Sequence, residues 1–326
     1  MQRHTKSSPL LALPGAVPAE GPDEGVAAHY GELFREQRTL ADGSGFVDLS
    51  HRGVVTVTGS DRLSWLHLLL TQHVSELPAG QATEALILSA HGHIEHALYL
   101  VDDGETTWAH VEPGTQDALI AYLESMKFFY RVEVADRTDE FAVVYLPAGS
   151  IAPVPDGATV RETAHGRDLF LPRAGLEAYA EANGPAIGIL AYEALRVEAH
   201  RPRLGFETDH RTIPHELGWI GSAVHLQKGC YRGQETVARV HNLGKPPRRL
   251  VFLHLDGSEV HLPGPGAEIR LAADGPDGRK LGFVTTSARH HELGPIALAL
   301  VKRNVPMDAE LLAETTAAAQ EVVVEP

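Results

Sequence analysis

The apolar positions change period several times along the chain. Val54, Val55 and Val57 lie in a β-branched run that predicts a strand. Ser60 and Asp61 then stand where a helix would start, with Leu63, Leu66 and Leu70 on one face. Leu86-Ile87-Leu88 and residues 97–101 predict two strands around a His91-Gly92-His93 turn. Thr115 is placed to cap a helix whose apolar face is Leu119, Tyr122, Leu123 and Met126. Residues 131–134 predict a strand that closes this region.

A second region opens with a strand over 141–145 and holds a helix over 185–196, with Pro185 in its first turn. After Arg201-Pro202-Arg203 periodicity fades up to Gly244, in a stretch rich in Gly, His and charge. Functional residues collect on such segments. Beyond Pro246-Pro247 come short strands over 250–255, 268–271, 281–285 and 296–300, separated by turns such as Asp274-Gly275, which predict a small all-β barrel. The flanks lack periodicity: the run from Met1 to about Ala27 predicts a mobile tail and residues 310–326 a frayed end. The expected fold class is α+β, because the strict strand–helix alternation of a doubly wound sheet is absent. The expected organisation is a tail over 1–27, α+β modules over 28–138 and 139–245, and a barrel over 246–326.

Composition narrows the function. With 326 residues, 43% of them hydrophobic, the chain has material for two or three cored domains. A formal net charge of −15 argues against general binding to nucleic acid or anionic membranes. No apolar stretch reaches the roughly 20 residues that span a bilayer. Leu10-Leu11-Ala12-Leu13 is short and broken by Pro14, so no signal peptide is expected. The single cysteine, Cys230, excludes an intrachain disulfide and supplies too few thiolates for a cluster or a zinc ribbon. It fits a reducing compartment, and a cytoplasmic location is expected. No Gly-x-Gly-x-x-Gly run opens a helix, and Gly244-Lys245 is followed by Pro246, so neither nucleotide loop is complete. His91, His93 and the His290-His291 pair lack a third ligand at a recognised spacing. They read as solvated turn histidines, and no metal is expected.

The segment around Cys230 carries the chemistry. Gly229 and Gly233 bracket the thiol, and Lys228 and Arg232 sit two residues to either side. Cations favour thiolate over thiol; a lone cysteine is otherwise commonly an inert packing residue. Both roles stay open on these residues alone.

Lys228-Gly229-Cys230-Tyr231-Arg232-Gly233-Gln234-Glu235 resembles the signature of the YgfZ family, with Arg232 at its variable position. Asp48-Leu49-Ser50-His51-Arg52-Gly53 is similar to the opening of the folate-dependent glycine-cleavage T-protein superfamily, and Leu195-Arg196-Val197-Glu198-Ala199 to its Arg-hydrophobic-Glu-Ala element. The resemblance covers about residues 30–305. It implies a T-protein-like fold of two α+β modules with antiparallel sheets and a C-terminal barrel around a central folate opening. It also implies a role in assembling or repairing iron–sulfur proteins, with folate and iron–sulfur client or assembly proteins as partners.

On that resemblance Cys230 is the functional thiol with Lys228 beside it, and the cofactor is tetrahydrofolate or a derivative. Glu198 is the candidate for the pterin, whose 2-amino group and ring N–H a carboxylate accepts together. Arg196, Tyr231, Gln234, Glu235 and Arg239 are the further candidate folate contacts, with Arg239 suited to the tail carboxylates. Tyr231 and Trp219 are candidate walls for the aminobenzoyl ring. The T-protein relatives transfer a one-carbon unit and use an acidic pair after a Gly-Gly turn. Here the matching stretch is Gly92-His93-Ile94-Glu95-His96-Ala97, so only Glu95 of the pair remains acidic. Folate-dependent aminomethyl transfer is therefore the alternative function, and a non-catalytic scaffold is a further one.

Overall fold

The computed structural model describes residues 7–258 and 261–325. The chain divides into two compact units, one of Met1–Leu86 with His96–Tyr192 and one of Ile87–Glu95 with Glu193–Pro326.

The first unit is built on two five-stranded sheets. One runs in the order Thr159–Thr163, Gly166–Pro172, Phe141–Pro147, Phe46–Asp48, Ala186–Ile187. The other runs Ala82–Leu88, Ile94–Asp102, Thr106–Val111, Gly53–Thr58, Glu133–Asp136, and the tip of its first hairpin belongs to the second unit. The helices Arg62–Leu69 and Gln116–Ser125 form where the periodicity places them, burying Leu66 and Leu119 with Leu123. The helix expected from Pro185 begins later. Ala186 and Ile187 first pair in parallel with Phe46 and Val47, and the helix runs Ile189–Glu198. That pairing is made by residues 140 positions apart in sequence, which local spacing does not reveal.

The expected N-terminal tail is docked over its described part; residues 1–6 lie outside the described residues. The Ser8 hydroxyl donates to Asp48, the Ser8 amide donates to the Gly25 carbonyl at 2.7 Å, and Val17–Pro18 pairs with Ala27–His29. Leu10 is buried in a cluster with Phe46, Leu146 and Leu176. Burying one leucine stabilises by about 1.5–3 kcal/mol, enough to hold a short segment in place.

The second unit contains a closed six-stranded barrel in the order Arg248–Leu255, Gly294–Lys302, Gly282–His290, Glu268–Leu271, Leu311–Ala313, Thr316–Val322. Val251, Leu253, Ile269, Val284, Ala297, Ala299, Val301 and Leu311 fill its core. The last two strands occupy the end expected to fray. Val251 pairs with Val322 and Leu255 with Ala318, so this segment closes the barrel. The register slips between Val284 and Thr286, leaving Thr285 as the extra residue of a β-bulge. The bulge turns two consecutive hydroxyls, Thr285 and Thr286, onto the same carboxylate oxygen of Glu207, at 2.9 and 2.6 Å. Among the described residues, no helix is long and apolar enough to cross a membrane.

Candidate functional site

The Ile189–Glu198 helix ends on the two residues that the superfamily element singles out, and they are held differently. Arg196 is buried. Its Nε and Nη2 reach Glu193 Oε2 at 3.0 and 2.9 Å, Nη1 reaches Glu207 Oε2 at 3.1 Å, and Nη2 also donates to the Thr286 hydroxyl at 3.1 Å. Nη1 further donates to the Arg201 carbonyl. Arg203 joins the knot through Glu193 at 2.9 Å. The guanidinium of Arg196 is thus spent on protein acceptors, and its geometry suits a clamp for the helix end better than a ligand contact. Glu198 remains 45% exposed at the side chain, with His290 Nε2 at 3.3 Å from its Oε2.

The Cys230 segment forms the approach to the helix Gln234–Leu243. Cys230 is exposed and free. Lys228 is buried, and its Nζ lies 5.1 Å from the centre of the Tyr231 ring. Burial pulls the Lys228 ammonium down to about 8 and pushes the Tyr231 phenol up to about 12. Gln234 donates weakly to the Lys228 carbonyl at 3.5 Å, while Glu235 and Arg239 are exposed on the helix. Trp219 is buried at 4% exposure, as a core residue.

The two glycines around the thiol are not equivalent. Gly233 has φ +82°, and a Cβ there would meet the Ser89 carbonyl oxygen at 2.5 Å and Gly92 Cα at 2.9 Å. Gly92 in turn has φ +79°, and its Cβ would meet Thr236 at 2.7 Å. Each glycine therefore permits the close approach of a hairpin turn to a helix start. Nothing lies within 4 Å of a Cβ at Gly229. The hairpin also brings Glu95 to Arg232, at 2.9 Å with both side chains part-exposed. The carboxylate left from the altered acidic pair and the cation beside the thiol thus form an ion pair that no local spacing foretells.

Two participants escape the sequence. Glu207 sits in an aperiodic stretch, yet it is fully buried and accepts from Arg196, Thr285, Thr286 and the Arg203 amide. His290, expected as a solvated turn histidine, is buried at 2% exposure. The adjacent His290-His291 pair was the available signal, and the structure buries both side chains, to 1% and 8% exposure. His91, at the hairpin turn, is exposed. Among the described residues, no group of three or more His, Cys, Asp or Glu is arranged to hold a metal ion.

Residues 27–149 match the GCVT N-terminal domain. An aminomethyltransferase of Herpetosiphon aurantiacus is 27% identical over 91% of this chain and 90% of its own length. One from Streptomyces avermitilis is 28% identical over 92% and 89%. The crystal structure of glycine cleavage system aminomethyltransferase T from Bartonella henselae superposes with a TM-score of 0.79 at 20% identity, covering 96% of this chain and 93% of that one. The chain has the T-protein fold, an α+β assembly with a C-terminal barrel, and carries over residues 27–149 the N-terminal domain of that type.

Proposed function

We propose that the protein binds tetrahydrofolate or a derivative and acts, through the Cys230 thiol, in assembling or repairing iron–sulfur proteins. The observation that carries this is the state of the Cys230 segment: an exposed free thiol on a loop anchored by a buried lysine and by a glycine that only a left-handed backbone satisfies. A cysteine kept for packing would be buried. Burial lowers the lysine ammonium from 10.5 to about 8, which eases loss of its proton.

Glu198 fits the pterin edge as an acceptor. Its carboxylate is part-exposed and free of the Arg196 knot, and a carboxylate can accept two parallel N–H groups at once. Arg239, exposed on the helix after the thiol, suits a tail carboxylate. Bound folate would supply a carrier for one-carbon units. The protein's own groups orient the ring, hold the tail and present the thiol. The work belongs in the cytoplasm, where a free thiol stays reduced.

The test has two arms. Tetrahydrofolate titrated into wild type binds, and Glu198→Ala loses that binding while keeping its melting temperature. Cys230→Ala folds and binds folate but fails to restore iron–sulfur enzyme activity in cells lacking the protein. Full restoration by Cys230→Ala would sink the thiol role, and absence of folate binding by wild type would sink the folate role.

A second reading, tetrahydrofolate-dependent aminomethyl transfer, draws on the relatives named as aminomethyltransferases over nine-tenths of the chain. Against it stands Glu95, tied to Arg232 and followed by His96. Turnover of an aminomethyl donor by purified protein with tetrahydrofolate would favour this second reading.

A further inference from the structure

Glu198 closes the last turn of its helix. That is a poor place for an anion, because the last carbonyls of a helix carry partial negative charge. A carboxylate kept there needs a compensating donor. Arg196, two residues back, is committed to Glu193, Glu207 and Thr286.

The group that faces Glu198 is His290, the last residue of the barrel strand Gly282–His290. Its side chain is 1% exposed. Its Nδ1 accepts the backbone N–H groups of Glu292 at 3.2 Å and Leu293 at 3.1 Å. An imidazole nitrogen that accepts two N–H groups carries no proton, so the neutral ring bears its proton on Nε2. That Nε2–H lies 3.3 Å from Glu198 Oε2, short of a full hydrogen bond, and has no other acceptor among the described residues. A buried donor left so is costly. A small rotation of the Glu198 carboxylate relieves it.

We infer that His290 is the positioning residue of Glu198: a neutral donor, pinned by its own turn, that fixes the direction of the carboxylate receiving the pterin edge. This rests on the folate role proposed above for Glu198. An ionised carboxylate offers about four acceptor directions, so His290 takes one and leaves both oxygens able to accept from the ligand. Burial disfavours the charged imidazole, against the pull of Glu198; the His291 ring at 4.4 Å also disfavours it, while Glu292 favours it. A second proton would have to enter at Nδ1 and break both backbone contacts of the turn. His290 therefore stays neutral, and its hold on Glu198 is constant near neutral pH.

The experiment is a calorimetric titration of tetrahydrofolate into wild type, His290→Leu, His290→Gln, Glu198→Ala and the Glu198→Ala/His290→Leu double variant, with melting temperatures and ¹⁵N NMR of the histidine rings. His290→Leu is expected to weaken binding about tenfold, the loss of one hydrogen bond to a charged group. His290→Gln, which keeps an N–H donor, restores most of it. In the Glu198→Ala background the leucine adds no further loss. NMR shows Nδ1 unprotonated from pH 6 to 8, with or without folate. If Glu198→Ala binds like wild type, the folate role of Glu198 fails and the role of His290 in binding fails with it. If Glu198→Ala loses binding while His290→Leu keeps it, the positioning role alone fails. A protonated Nδ1 at pH 7 overturns it regardless of folate.

Discussion

Arg196 and Arg232 make a useful contrast. Both stand beside candidate functional residues, and both are ion-paired, yet only one is built into the fold. Arg196 is buried and shared among two carboxylates, a hydroxyl and a carbonyl. Arg232 pairs with Glu95 at the surface, the two side chains being 42% and 37% exposed. A buried charge must have every valence satisfied by protein, because desolvation is costly. An exposed one is satisfied by water and contributes little. Glu198 and Cys230, exposed and outside the buried knot, are the side chains that the proposed function leaves open to a ligand.

The contrast breaks most readily at Glu207. Glu207→Ala removes the acceptor of Arg196 and of both bulge threonines, leaving a buried cation short of a partner. Urea unfolding should show a loss of about 3–5 kcal/mol; a loss below about 1 kcal/mol would mean that water replaces the carboxylate. Gly233→Ala comes next, costing about 1–3 kcal/mol for the forced left-handed backbone, with the approach to Ser89 adding to it. Gly229→Ala, with open space around it, should change stability by no more than about 0.5 kcal/mol. Equal effects at the two glycines would refute the seating of the hairpin on Gly233.

Lys228 gives a pH signature. Its ammonium is lowered from 10.5 to about 8 in the folded protein. Between those values the unfolded chain binds more protons, so stability rises with pH from about 8 towards 10.5 and is flat below. Lys228→Met should abolish that rise in urea midpoints measured across the window. A small effect also belongs to Arg232 and Glu95: a double-mutant cycle should return about 0.2–1 kcal/mol, and added salt should shrink it.

How much of this the sequence disclosed follows from the range of each interaction. The strands around Val55, Ile87 and Leu253 were visible because alternation and β-branching are local. The Cys230 run and the Glu198 element were visible because a motif is local too. The pairing of Ala186 with Phe46, the docking of Leu10 and the contact of Glu95 with Arg232 join distant segments. They leave no periodic trace. The strand Thr316–Val322 was hidden for a different reason. Its Ala317-Ala318-Ala319 run has weak strand preference, and pairing with Leu253–Leu255 supplies what propensity lacks. His290 was visible as a residue but not as a role, since its approach to Glu198 joins segments far apart in the chain.

The closure of the barrel also has a consequence during synthesis. The strand Arg248–Leu255 must wait for Thr316–Val322 before that edge is paired. The 71 residues from Val251 to its partner Val322 take about 4–14 s to translate at ordinary rates. Throughout that interval the nascent chain offers the apolar run Leu250-Val251-Phe252-Leu253 with one edge unpaired. Slower translation of this region would lengthen the exposure of that edge.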